Sequence, residues 1–258
     1  MDNLGLKLWS TNTDNYLYEA IRLYENNIYN YIELYIVPDS LKSLNSWEIV
    51  KRNHNIPFII HCPHFAHGFN LAKQEKKENN FKIYKEVKEF ADRLNANYII
   101  FHGGVDGNIE ETAEQLSSFS EKRALIENKP YIALPQMNGK YCRGYNLEEI
   151  KFLKDTAQCG FCLDIGHATC SAVSQGKNIY DYCKEFLSLN PDMFHLTDNK
   201  DLTSPYDSHL HLGKGQLDLK QIRQILPDNA IITLETVKNS KTTLDDFIED
   251  TICLKNLQ

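Results

Sequence analysis

Short runs of apolar, β-branched and aromatic residues alternate along the chain with longer stretches in which apolar positions recur every three or four residues. The short runs are LKLW (6–9), YIELYIV (31–37), FIIHC (58–62), YIIFHG (98–103), YIAL (131–134), FCLD (161–164), MFHLT (193–197) and IITLE (231–235). Each has the length and residue types of a strand. From start to start they lie 25 to 40 residues apart, the size of a strand plus a helix. The stretches between them carry the other period. From Phe81 to Leu94, the residues Phe81, Tyr84, Val87, Phe90, Ala91 and Leu94 fall on one helical face with lysine and glutamate between them. Asn12-Thr13-Asp14 offers helix caps before Tyr16–Tyr24, and Asn146-Leu-Glu-Glu opens another helix as a capping box.

Most of the strand runs are apolar on both faces, as in a parallel sheet covered by helices. Eight such alternations with no break in composition predict an α/β chain folded as a single (β/α)8 TIM barrel over residues 1–258, with a doubly wound open sheet as the alternative. A length of 258 residues suits one such barrel.

Composition changes this picture little. The chain is 42% hydrophobic and 24% charged, which is ordinary for a soluble globular protein. No apolar run is long enough to suggest a membrane span. The N-terminus MDNLGLKLWS lacks a basic segment followed by an apolar one, so the expected location is cytoplasmic, with no membrane partner. A net charge of −7 argues mildly against broad attraction to nucleic acid. The seven cysteines are odd in number and scattered. Cys159-Gly-Phe-Cys162 has the spacing of a redox or zinc motif, but no second pair exists and Cys162 lies inside a strand run, so packing is the expected role. Oligomeric state is not legible.

The polar residues of the strand runs fall in one place. The second run carries Glu33 internally, the third ends in His61 and the fourth in His102. The sixth ends at Asp164, with His167 just beyond. The seventh carries His195 and leads to Asp207 and His209, and the eighth ends at Glu235. In a barrel, the carboxyl ends of the strands build the active site. Five histidines and three carboxylates on one rim would repel and desolvate one another unless a cation compensated them. Mixed imidazole and carboxylate sets suit divalent zinc or manganese, or iron. Asp164 alone reads equally well as a helix cap. His54, His64, His67 and His211 lie in loops or beside a stronger neighbour and are expected to be solvated.

The segments HCPH (61–64), FHGG (101–104), CLDIGHA (162–168), FHLTDNK (194–200), DSHLHLGKG (207–215) and LET (234–236), in this order, resemble the xylose isomerase-like TIM barrels. That superfamily joins endonuclease IV-type AP endonucleases with sugar and sugar-phosphate isomerases and epimerases. Resemblance to the endonucleases implies three zinc positions: His61 and His102 at the first, Asp164, His195 and Glu235 at the second, and His167, Asp207 and His209 at the third. Resemblance to the isomerases implies one metal at Asp164, His195, Glu235 and a glutamate closing the fifth strand. Family members read roughly Leu-Glu-Asn there. In this chain the run at that place reads ALPQMNG (133–139), which puts Pro135 at the glutamate and Gln136 beside it as a neutral substitute.

These features predict a divergent metal-dependent barrel acting on a sugar or sugar phosphate as an isomerase or epimerase. Glu235 and His167 are the candidate catalytic groups, and Lys200, Lys214 and Gln136 the candidate substrate contacts. An endonuclease IV-like zinc phosphoesterase is the alternative, with nucleic acid as partner. It is weakened by a loop, VPDSLKSLNS, without arginine or aromatic residues, and by His64 where an aromatic is expected. A barrel that binds a metal or ligand without turnover is the third reading, motivated by Pro135.

Overall fold

The computed structural model describes residues 3–136 and 139–257. Strands β1 (Asn3–Trp9), β2 (Tyr31–Tyr35), β3 (Phe58–His61), β4 (Ile99–His102), β5 (Ala124–Glu127), β6 (Gly160–Asp164), β7 (Met193–Leu196) and β8 (Ile231–Leu234) pair in parallel in chain order, and β8 pairs back onto β1. The result is a closed eight-stranded barrel. Around it lie α1 (Leu17–Glu25), α2 (Leu44–His54), α3 (Lys77–Arg93), α4 (Ile109–Ser118), α5 (Leu147–Ala157), α6 (Ile165–Ser174), α7 (Ile179–Leu187), α8 (Leu219–Ile225) and α9 (Asp245–Lys255). Among the described residues no helix is long and apolar enough to cross a membrane.

Local chemistry sets several of these boundaries. The Asn146 side chain accepts the Glu149 N–H at 2.8 Å and caps α5. Glu149 reaches back past the cap to the Gly144 N–H rather than to Asn146, so the capping box is opened by two residues. The helix after Asn12-Thr13-Asp14 starts at Leu17 without a side-chain cap, because Asn12 Oδ1 instead accepts the Trp9 N–H at 2.8 Å.

The fifth strand corrects the sequence reading. Ala124-Leu-Ile-Glu127 is the strand, and YIAL (131–134) lies beyond its end. The strand is only four residues long and sits between charged residues Glu121-Lys-Arg123 and Lys129, which disguise it. The later run has strand composition for another reason. Ile132 forms a single antiparallel bridge to Tyr141, and Ala133 packs with Val105 and Cys142 in a small separate cluster. Its apolar residues wall a cavity instead of crossing the barrel. Glu127-Asn128 therefore closes the fifth strand, and Pro135 and Gln136 do not stand in the family glutamate's place.

Side chains alternate in direction along a strand, so every second residue enters the barrel. One interior set, Tyr31, Ile59, Ile100, Leu125, Cys162 and Met193, packs into a dry plug. Gly5 makes room for it, because a Cβ there would sit 2.4 Å from the Tyr31 ring. Two residues farther along the same strands stand Lys7, Glu33, His61, His102, Glu127, Asp164 and His195. The pairing register holds several of them side by side, with Lys7 opposite Glu33, His102 opposite Glu127, and Asp164 opposite His195. The plug thus forms the floor of a polar chamber.

Candidate metal centre

Glu127 connects much of the chamber. Its Oε2 lies 3.0 Å from His61 Nε2 and 3.2 Å from His102 Nε2, while Oε1 lies 2.8 Å from His167 Nδ1 and 3.2 Å from Lys129 Nζ. Around His195 Nδ1 stand Glu235 at 3.3 Å, Glu127 at 3.5 Å and Asp164 at 3.7 Å. A third group joins His167 Nε2 and His209 Nε2 to Asp207 Oδ2, at 3.4 and 3.0 Å. His209 holds a left-handed φ of 47°, a strained conformation for a non-glycine residue. The surroundings enforce it: its carbonyl accepts the Val237 N–H at 3.0 Å, and its Nδ1 meets the Glu235 carbonyl at 3.0 Å.

Each of four histidines has one ring nitrogen tied to a fixed oxygen. His61 Nδ1 lies 2.9 Å from the Cys62 carbonyl, His167 Nδ1 2.9 Å from the Asn128 carbonyl, and His209 Nδ1 3.0 Å from the Glu235 carbonyl. His195 instead has Nε2 against Glu33 Oε2 at 2.9 Å. An acceptor on one nitrogen places the proton there and leaves the other as a lone pair, the arrangement by which proteins aim imidazoles at metals. Glu33 is itself fixed by the Thr233 hydroxyl at 2.6 Å and by Lys7 Nζ at 2.5 Å, and Lys7 also meets Glu235.

The donor set fits divalent cations. Asp164 Oδ2, His102 Nδ1 and His195 Nδ1 are buried and have no hydrogen-bond partner. Such atoms are costly unless something compensates them. Asp164 resolves its two readings by holding both. Its Oδ1 accepts the His167 N–H at 2.7 Å and caps α6, while Oδ2 faces the chamber. Four sets of three or four ligand atoms close enough to share an ion are present among the described residues: Glu33, His61, His195 and Glu235; His61, His102 and Glu127; Glu127, Asp164 and His167; His167, Asp207 and His209. The imidazole and carboxylate mixture suits zinc or manganese.

With no ion bound, protons take up part of the negative charge. Burial opposes the charged form of His209, but Asp207 and then Glu235 raise its pKa to about 9. Burial likewise opposes the charge on His195, and Cys162, Glu33 and Glu235 outweigh it and lift its pKa well above the usual range. His102 is the contrast: burial and Lys129 lower it to about 3, so it stays neutral. An ion binding at His209 must displace a proton over most of the neutral range. The apparent affinity for zinc should therefore climb with pH and level off above about 9, followed by chelator competition from roughly pH 6.5 to 9.5. A flat profile would show that His209 is neutral before the ion arrives.

All eight ligand candidates named from the sequence, His61, His102, Asp164, His167, His195, Asp207, His209 and Glu235, converge here. The substrate candidates do not. Lys200, Lys214 and Gln136 are exposed, and none lines the cavity of about 740 Å³ above the cluster. The Gly-Lys-Gly around Lys214 serves a different end. Asp198 is fully buried and accepts backbone N–H groups from Gly213, Gly215 and Leu217 at 3.0, 2.9 and 3.1 Å. A Cβ on Gly215 would lie 2.3 Å from Asp198 Oδ1, so the glycine permits the approach. His64 and His67, expected to be solvated, line the cavity and bind Tyr35, whose hydroxyl accepts the His64 N–H at 2.7 Å and meets His67 Nδ1 at 2.6 Å. His211 is tied to Asp250 at 2.8 Å, outside the cavity lining. The cysteines are all free thiols, and Cys162 belongs to the plug, in keeping with a packing role.

Sequence reasoning missed Lys7, Glu127 and Lys129 and left Glu33 without a role. A signal existed for Lys7 and Glu33, since each is a lone charge inside an otherwise apolar strand run. Two lysines within a ligand cluster offset part of its charge, with Lys7 held cationic because Glu235 and Glu33 outweigh the effect of burial.

Comparison with known proteins agrees with this geometry. The family model of the xylose isomerase-like TIM barrel matches residues 26–256. A curated relative from Mycoplasmopsis pulmonis, named probable endonuclease 4, is 26% identical over 267 residues, covering 92% of this chain and 94% of its own. A protein of the same name from Campylobacter fetus is 29% identical, covering 85% of this chain and 84% of its own. Among solved structures, a D-tagatose 3-epimerase-like protein superposes with a TM-score of 0.70 at 17% identity, covering 98% of this chain and 96% of its own. A Thermus thermophilus protein soaked with zinc chloride superposes at 0.67 and 19% identity, covering 96% and 97%. At these identities the structural likenesses establish the fold. With the family match spanning most of the chain and the family's strand-end residues present at β3 to β8, the chain belongs to the xylose isomerase-like TIM barrel family.

Proposed function

We propose that the protein is a metal-dependent phosphoesterase that cleaves phosphodiesters, in the manner implied by its relatives named endonuclease 4. The observation that carries this reading is Glu127, whose two oxygens reach His61 and His102 on one side and His167 on the other. It links the first and third groups of ligands to the second, and its apparent absence was the main argument for lost chemistry. A divalent ion held by Glu127 with these imidazoles and carboxylates would supply Lewis-acid polarisation of a phosphoryl group and a lowered water pKa. The chain's own part is to aim the imidazoles, through the Cys62, Asn128 and Glu235 carbonyls and Glu33, and to keep Asp164 Oδ2 free of any donor. Lys129, buried between Glu127 and His167, would offer its ammonium to a phosphoryl oxygen bound at the cluster.

A second reading has its own observation. Glu127, Asp164 and Glu235 all stand around one nitrogen of His195, a single-ion arrangement with two opposed glutamates that also suits proton transfer in sugar epimerisation. The two readings separate in one experiment. Protein purified without chelator is given a duplex oligonucleotide with one abasic site and, separately, a panel of ketoses. Chelator-sensitive strand cleavage with no change in the sugars is the expected result. Ketose epimerisation without cleavage would overturn the phosphoesterase reading in favour of the second.

A further inference from the structure

One wall of the cavity takes no part in the metal cluster. Trp9, the last residue of β1, is in register with Tyr35 on β2, and their rings lie 5.3 Å apart at 34°. Tyr35 is pinned through its hydroxyl by His67 and the His64 N–H, so it backs the indole firmly. Trp9 is nevertheless 48% exposed and lines the cavity, so its ring is open to whatever enters. On the same wall, after β8, Lys238 gives one hydrogen bond to the Thr236 carbonyl at 3.0 Å and has no carboxylate within ion-pair distance among the described residues. Burial lowers its pKa against the opposing pull of Asp246, Asp250 and Glu235, none of which lies close enough to pair with it. The Tyr16 hydroxyl donates to the Ser240 carbonyl and so ties the Lys238 loop to the start of α1, while Asn12 accepts the Trp9 N–H. Trp9 and Lys238 thus sit on braced segments of one wall.

We propose that Trp9 and Lys238 form a nucleotide subsite beside the metal centre, with a base stacked on the indole and a phosphate paired with the ammonium. An exposed aromatic ring and a cation lining one cavity from neighbouring strand ends offer the chemistry of single-stranded nucleic acid recognition. The cavity of about 740 Å³ also has room for more than the group at the ligand cluster. This inference rests on the phosphodiester reading and assigns to this wall one nucleotide of its substrate.

The test needs no turnover. The chain has two tryptophans, and Trp47 is fully buried, so fluorescence quenching by an added nucleotide reports on Trp9. Deoxyadenosine 5′-monophosphate should quench the intact protein and bind about tenfold more tightly than ribose 5-phosphate, measured by competition. By calorimetry, Trp9→Leu should weaken nucleotide binding about tenfold, and Lys238→Gln should weaken it with a shallower salt dependence. Unchanged far-ultraviolet circular dichroism would certify both variants. Equal binding of ribose 5-phosphate and the nucleotide by wild-type protein would overturn the stacking proposal without any variant. Undiminished nucleotide binding by folded Lys238→Gln would overturn the ion pair. Quenching without strand cleavage would instead fault the phosphoesterase reading and leave the subsite standing.

Discussion

Glu127→Gln is expected to strip the chamber of most of its metal and to lower phosphodiester cleavage about a thousandfold or more, while the barrel stays folded. The substitution preserves shape and changes only chemistry. One carboxylate oxygen becomes an NH2 group, which has no lone pair to offer a cation, and the negative charge shared by the ligands on both sides of Glu127 is lost. Losing a supporting carboxylate around a metal site typically costs 10- to 100-fold in affinity, and a ligand shared between sites should cost about the upper end or more. Lys129 would also lose its nearest counter-charge. Metal per chain by mass spectrometry, beside a thermal melt, gives the reading. Full metal content in Glu127→Gln would remove Glu127 from the ligand set and, with it, the strongest support for phosphodiester chemistry.

Asp198→Ala should be the most destabilising polar substitution outside the ligand set. The carboxylate accepts four backbone N–H groups, from Asn199 at 2.8 Å, Leu217 at 3.1 Å, Gly213 at 3.0 Å and Gly215 at 2.9 Å. A buried donor left without an acceptor costs about 1–3 kcal/mol, and water entering the gap will recover part of it, so roughly 3 kcal/mol is expected overall. For a chain of this size that corresponds to a fall in Tm of roughly 6–12 °C. The same loop carries Asp207 and His209, so metal at that end of the chamber should loosen as well. Thermal denaturation with and without added zinc measures both effects. A melt within about 2 °C of wild type would show that the loop is held by other contacts.

Seven of the eight strands, and the gathering of all eight ligand candidates on one rim, were legible because both rest on strict periodicities. Strand runs in a parallel barrel are apolar on both faces, and their polar exceptions collect where the strands end. The fifth strand escaped because Ala124–Glu127 is short and flanked by charge, whereas Tyr131–Leu134 borrows strand composition to wall a cavity. Local composition cannot distinguish a residue that crosses a barrel from one that lines its mouth. Lys214 stands away from the cavity for a related reason. Its Gly-Lys-Gly motif has a strict spacing, but the spacing serves the approach of Gly213 and Gly215 to a buried carboxylate. Lys238 carries no motif at all, and only the meeting of the β1 and β8 ends gives it a neighbourhood.

The plug formed by Tyr31, Ile59, Ile100, Leu125, Cys162 and Met193 also has a kinetic meaning. Among the described residues, a chamber sealed at its floor exchanges its contents through its mouth. Whatever is released must leave through the mouth by which the next molecule arrives, so product still in the cavity denies entry to substrate. Inhibition by product should consequently be competitive, and turnover can be no faster than the clearing of that one passage.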